Sequence, residues 1–103
     1  MPNVLFEIEY KQTVEERIKQ LRRNMLIHSY MYYHLDNPII SDDQWQFQAD
    51  ELAELQKKHG IKWDCYDKWF ADWDGSTGMH LPADGWVRTT VQYMYDLMER
   101  KNG

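Results

Sequence analysis

The apolar and polar positions along this chain follow two different periods. Residues 4 to 10, VLFEIEY, alternate Phe6, Ile8 and Tyr10 with Glu7 and Glu9, the period-two pattern of a half-buried strand. A lone strand leaves its backbone groups unpaired, so the segment reads as a short N-terminal strand with a partner or as an extended arm. From Thr13 the period lengthens. Thr13 and Glu16 have the T-x-x-E spacing in which each side chain bonds the other's backbone N–H. Ile18, Leu21, Met25, His28 and Tyr32 then recur at steps of three and four, which predicts a helix over 13–34. Asn37-Pro38 stops it, because proline has no amide hydrogen and biases the residue before it toward extended backbone.

Ser41 and Gln44 repeat the capping spacing, and Asp42 and Asp43 put negative charge in the first turn of a second helix. Trp45, Ala49, Leu52 and Leu55 or Gln56 carry its apolar face to His59. Gly60 supplies a left-handed stop, with Ile61 set to pack back on the helix. Helices over 13–34 and 42–59, joined by a short loop, predict an antiparallel hairpin. Beyond Gly60 the pattern weakens. Trp63, Tyr66, Trp69 or Phe70, and Trp73 suit a short helix or strand segments, and DWDGSTG reads as a turn-rich loop. Asp84 fits the N-cap of a last helix carrying Trp86 or Val87, Val91, Met94, Tyr95 and Met98. The expected fold class is mainly α: a single domain over 1–103, with the hairpin at 13–59 and an aromatic-rich C-terminal extension at 60–103.

Composition sharpens this reading at three points. A chain of 103 residues buries roughly 65% of its extended surface on folding, enough for one core. Five tryptophans and seven tyrosines imply either a large aromatic core or surfaces for a ring-shaped ligand or a partner. The formal charge of −5 disfavours binding to nucleic acid, which needs clustered cations. Basic residues do concentrate in KQTVEERIKQLRRN, but Glu15 and Glu16 sit among them, so the stretch reads as a solvated helix face. Cys65 is the only cysteine, which excludes an internal disulfide, and no Cys/His spacing fits a metal site. With no signal-peptide pattern and no apolar run near 18 residues, a cytoplasmic protein without membrane contact is expected.

The candidate chemistry lies in residues 28 to 46, HSYMYYHLDNPIISDDQWQ, where three tyrosines, three aspartates and a tryptophan surround the proline bend. There is no P-loop or Rossmann glycine pattern, no H-E-x-x-H and no G-x-S-x-G. Ser76, between the glycines of DGSTG, has no histidine partner and reads as a loop residue.

The sequence Leu21-Arg22, His28, Tyr30, Tyr32-Tyr33, Asp36, Pro38, Ile40-Ser41-Asp42, Trp45 and Glu51-Leu52 resembles the small N-terminal helical subdomain of NAD-dependent DNA ligases. In those enzymes the subdomain holds the nicotinamide mononucleotide (NMN) half of NAD. The resemblance implies that Tyr32 and Tyr33 lie along the ligand, that Asp42 accepts its hydrogen bonds, and that Trp45 stands where a tyrosine usually stacks on the pyridine ring. Gln46 takes the place of a second aspartate, so restoring a carboxylate there is expected to strengthen binding. An aromatic face and a carboxylate suit a cationic pyridinium.

The resemblance stops at residue 59. Adenylation needs the lysine of a K-x-D-G motif, and the residues two places before the aspartates of Asp74-Gly75 and Asp84-Gly85 are Asp72 and Pro82. The chain is therefore not a complete ligase, and no catalysis is expected. Packing roles stand beside the binding roles: Tyr32 and Tyr33 as core and rim of the hairpin, Asp42 as a helix-terminal charge, Trp45 as a packing residue. His28 reads as a core histidine with satisfied ring nitrogens, and His59 and His80 as structural or exposed. Two functions follow. One is a non-catalytic module binding NAD or NMN without metal. The other is an acidic interaction protein that binds a host protein, in line with a resemblance to small ligase-related proteins of bacteriophages and prophages in a bacterial host cell.

Overall fold

A computed structural model describes residues 12–102. Helix α1 spans Val14–Ser29 and continues into a π-helical turn at Tyr30–His34; α2 spans Asp42–His59, α3 Asp67–Phe70 and α4 Gly85–Asn102. The fold is mainly α, and no strand occurs among the described residues. The strand expected at residues 4 to 10 lies outside them.

Both helix starts form as the spacing predicts. Glu16 N–H donates to Thr13 Oγ1 at 3.1 Å and Thr13 N–H to Glu16 Oε1 at 3.1 Å. Gln44 N–H and Ser41 N–H exchange the equivalent bonds at 3.1 and 2.9 Å. Pairing of Arg17 with Glu51, Asn24 with Gln48 and Ser29 with Trp45 shows that α1 and α2 run antiparallel. Gly60, at φ +93°, ends α2, and its N–H donates to Gln56 O at 2.8 Å.

The end of α1 departs from the expected register. Leu35 N–H reaches Tyr30 O at 3.2 Å, and Asn37 N–H reaches Met31 O at 2.9 Å, spans longer than the α-helical step. An uninterrupted α-helix would have kept Tyr32 in line with Met25 and His28. The wider turn instead buries Met31 completely and leaves Tyr32 45% exposed. Tyr32 is therefore not a core residue. Asp36, at φ +50°, turns the chain into the Pro38 loop.

Residues after Gly60 fold back over the hairpin. Phe70, Trp73, Leu81, Val87 and Val91 share one core with Ile18, Leu21, Met25, Ala49 and Leu52. The aromatic segment gives only the single turn of α3. Asp84 caps α4: Val87 N–H donates to its Oδ1 at 2.9 Å, and the Tyr66 hydroxyl to its Oδ2 at 2.7 Å. Burial, and then this bond to Asp84, pushes the Tyr66 hydroxyl up to about 12. Of the residues expected on the inner face of α4, Val87 and Val91 are buried while Trp86 and Met98 face outward.

Arg22 corrects the reading of α1 as a solvated basic face. Its side chain is fully buried. Its guanidinium donates to Gln56 Oε1 at 2.8 Å, Asp64 Oδ1 at 2.8 Å, Asp67 Oδ1 at 2.6 Å and Ile61 O at 2.8 Å. Such a fork suits a planar, permanently charged donor. Arg23 adds a bond to Asp64 Oδ2 at 3.1 Å and lies over the Tyr66 and Trp86 rings. Burying a cation is tolerated only where it is paired and hydrogen-bonded, and here the extension supplies both acids.

A candidate ring-binding pocket

Tyr32, Tyr33, Asp42, Trp45 and Gln46, together with Ser76, line one concave pocket of about 160 Å³. Three elements deliver them. The π-helical turn presents Tyr32 and Tyr33 outward, their rings packed edge to face with centroids 4.8 Å apart. The first turn of α2 carries Asp42, Trp45 and Gln46. The α3–α4 loop brings Ser76.

Trp45 has both roles considered for it. It is half-buried, donates from Nε1 to Ser29 Oγ at 3.2 Å, and packs against Trp73 with centroids 6.1 Å apart, while the pocket takes the rest of its surface. Tyr33 is half-buried and Asp42 exposed, so neither is a core residue. Asp42 stands one position after the N-cap Ser41, whose capping bonds go to Gln44, so its carboxylate is not the side chain that closes the helix end.

The α3–α4 loop is tied down along its length. Trp73 Nε1 donates to Ala49 O at 3.0 Å, Gln46 Nε2 to Gly75 O at 2.9 Å, and Thr77 Oγ1 to the Tyr33 hydroxyl at 3.2 Å. Gly78 passes so close to α1 that an added Cβ would lie 2.2 Å from Ser29 Oγ; only a residue without that carbon fits. The sequence reading took this segment as a loop, which it is, but missed Ser76 as a pocket residue. The spacing of Gly75 and Gly78 around polar residues was the available signal, since glycine marks close backbone approach.

His28 does not have the satisfied nitrogens expected of it. Its Nδ1 is buried without a hydrogen-bond partner, and burial pushes the ring's pKa below its ordinary 6.5. His59 and His80 are exposed. Among the described residues no group of three or more His, Cys, Asp and Glu side chains is placed to hold a metal ion. No described helix is long and apolar enough to cross a membrane.

Residues 11–63 match the family model described as DNA ligase-like, N-terminal NAD+-binding domain. The chain belongs to this family. A DNA ligase of Pseudothermotoga lettingae is 42% identical to it over 48 residues, covering 47% of this chain and 7% of that protein. A DNA ligase of Thermoanaerobacter sp. is 47% identical over 45 residues, 44% of this chain and 7% of the ligase. DNA ligase 2 of Clostridium acetobutylicum is 44% identical over 45 residues, with coverages of 44% and 7%. The chain thus spans about 7% of the length of these relatives and is not a full ligase. No solved structure matches it significantly. Five of the six pocket residues fall inside the stretch that matches the NAD+-binding domain; Ser76 and its loop fall outside it.

Proposed function

We propose that this chain is a non-catalytic module that binds the nicotinamide mononucleotide part of NAD in the pocket between the π-helical turn and α2. The observation that carries the reading is the convergence of Tyr32, Tyr33, Asp42, Trp45 and Gln46 on one open concavity. A core or capping role for each residue separately does not require them to meet. Trp45 offers a stacking face for the pyridinium, the two tyrosines flank it, and Asp42 accepts from the ring's substituent or balances its charge. The cavity is about 160 Å³, below the roughly 300 Å³ at which whole-ligand pockets begin. It suits a single ring and leaves ribose and phosphate in solvent.

The affinity follows from these few contacts. A stacked ring contributes roughly 1–3 kcal/mol and a charged hydrogen bond about 1.5–3 kcal/mol. Association offsets much of that, leaving a dissociation constant on the order of millimolar. On this reading the protein works in the bacterial cytoplasm on a nicotinamide nucleotide, with no nucleic acid or membrane as partner. No adenylate forms on it, because the chain carries no K-x-D-G lysine.

Ligand-observed NMR with NMN, NAD and AMP in parallel tests the assignment. NMN and NAD are expected to bind and AMP not. Trp45→Ala should remove the signal, and Asp42→Asn should weaken it by about 1–3 kcal/mol. No response to NMN at several millimolar would leave the acidic interaction protein as the reading to pursue.

A further inference from the structure

We propose that the pocket selects a pyridinium ring bearing a neutral carboxamide over one bearing a carboxylate, because the α3–α4 loop held by Gln46 completes it with hydrogen-bond acceptors. The inference rests on the ring-binding reading above and adds to it the chemical class of the ring's substituent.

The inventory of free hydrogen-bonding capacity makes the case. Gln46 Nε2 donates to Asp50 Oδ1 at 2.9 Å and to Gly75 O at 2.9 Å. Both of its hydrogens are committed, so Gln46 can offer a ligand only its carbonyl oxygen. The Ser76 hydroxyl donates to Asp74 Oδ1 at 2.6 Å, and Ser76 N–H reaches the same oxygen at 2.9 Å. These two bonds, the hydroxyl first, hold the Asp74 carboxyl below the usual carboxylate range. Asp74 therefore stays an acceptor, and Ser76 Oγ keeps only lone pairs for the pocket. Asp42 adds a carboxylate. Of the lining residues, only the Tyr32 and Tyr33 hydroxyls have a proton left to give, and none is a lysine or arginine.

A carboxamide presents two N–H donors and one acceptor to this rim, matching both kinds of group. A carboxylate presents acceptors alone, against the charge of Asp42 and with no cation to pair with. Gln46 is thus a positioning residue: its amide fixes the loop and turns both itself and Ser76 into acceptors. This reverses the expected effect of an acid at position 46. A carboxylate there has no hydrogen for Gly75 O and would face Asp50, so the wall would come loose.

The test is a titration of the full chain with NMN and with nicotinic acid mononucleotide, followed by ligand-observed NMR. The amide form is expected to bind at least about tenfold more tightly, the scale of one charged hydrogen bond. Equal binding of the two would overturn the inference while leaving the ring-binding reading intact, and binding of neither would overturn that reading itself. Ser76 is exposed, so Ser76→Lys should leave the fold unchanged and shift preference toward the acid; no shift would count against the acceptor rim. Gln46→Ala is expected to weaken NMN binding and shrink the discrimination. Unchanged affinity and selectivity in that variant, with unchanged circular dichroism, would remove Gln46 from the argument.

Discussion

The C-terminal extension grips α2 at its two ends with opposite chemistry. Near the C-terminus of α2, Arg22 of α1 gathers Gln56, Asp64, Asp67 and the Ile61 carbonyl into a buried cluster in which all of these groups are bonded. Near the N-terminus of α2 the contacts are neutral and sparse, chiefly Gln46 to Gly75 and Thr77 to Tyr33. Acceptors are left over there, around a cavity. A saturated cluster fixes the chain but has nothing left to offer a ligand. The pocket end gives up that saturation, and the leftover capacity is what makes it a candidate site. The comparison predicts that one end governs stability and the other governs binding.

The largest effect should come from the saturated end. Arg22→Met leaves two carboxylates and the Gln56 amide without their shared donor, and loss of one partner from a buried ion cluster costs about 3–5 kcal/mol. Chemical denaturation should show it directly. A loss below about 1 kcal/mol would mean the cluster is solvated and the contrast between the two ends false.

Gly78→Ala probes the pocket end by sterics. A Cβ 2.2 Å from Ser29 Oγ forces the loop or Trp45 to shift, at about 1–3 kcal/mol. Its stability cost should therefore be smaller than that of Arg22→Met, and its effect on NMN binding larger.

Acidification separates the ends by pH window. Burial alone would raise the Asp67 carboxyl, but N–H donors from the Asp64 backbone, the Arg22 guanidinium and the Trp63 backbone outweigh it. They lower it from 3.8 to about 2. Its folded value lies below its unfolded value, so its contribution is present above pH 3.8 and is lost as pH falls through about 2. His28, near the pocket end of α1, is held neutral by burial, with its pKa below 6.5. The folded state thus binds fewer protons there, and stability drops as pH falls below 6.5. Denaturation midpoints measured from pH 8 downward should show this first decline in wild type and not in His28→Gln. The Asp67 decline should persist in both.

The smallest effect tests whether charge alone stabilises the hairpin. Arg17 and Glu51 pair at 2.7 Å, with side chains 34% and 30% exposed. Arg17→Ala should cost only about 0.2–1 kcal/mol, far less than Arg22→Met, although the two arginines stand five residues apart on one helix.

The sequence by itself determined the parts of this protein that depend on near neighbours. Both capping boxes, the Asn37-Pro38 stop and the two helical faces are settled within a few residues, because caps and periodicity are local interactions. The gathering of Tyr32, Tyr33, Asp42, Trp45 and Gln46 was legible too, through a motif that spans a single loop. Tertiary structure alone decided the rest. Arg22 looked like a surface cation because the acids that bury it lie 42 and 45 residues later. Tyr32 left the core face because a wider helical turn, favoured only once Met31 has a core to enter, rotated it outward. Ser76 joined the pocket because Gln46, Gly78 and Trp73 dock a distant loop. Each depends on partners far along the chain, and a residue's free valences are known only after the fold has taken up the others.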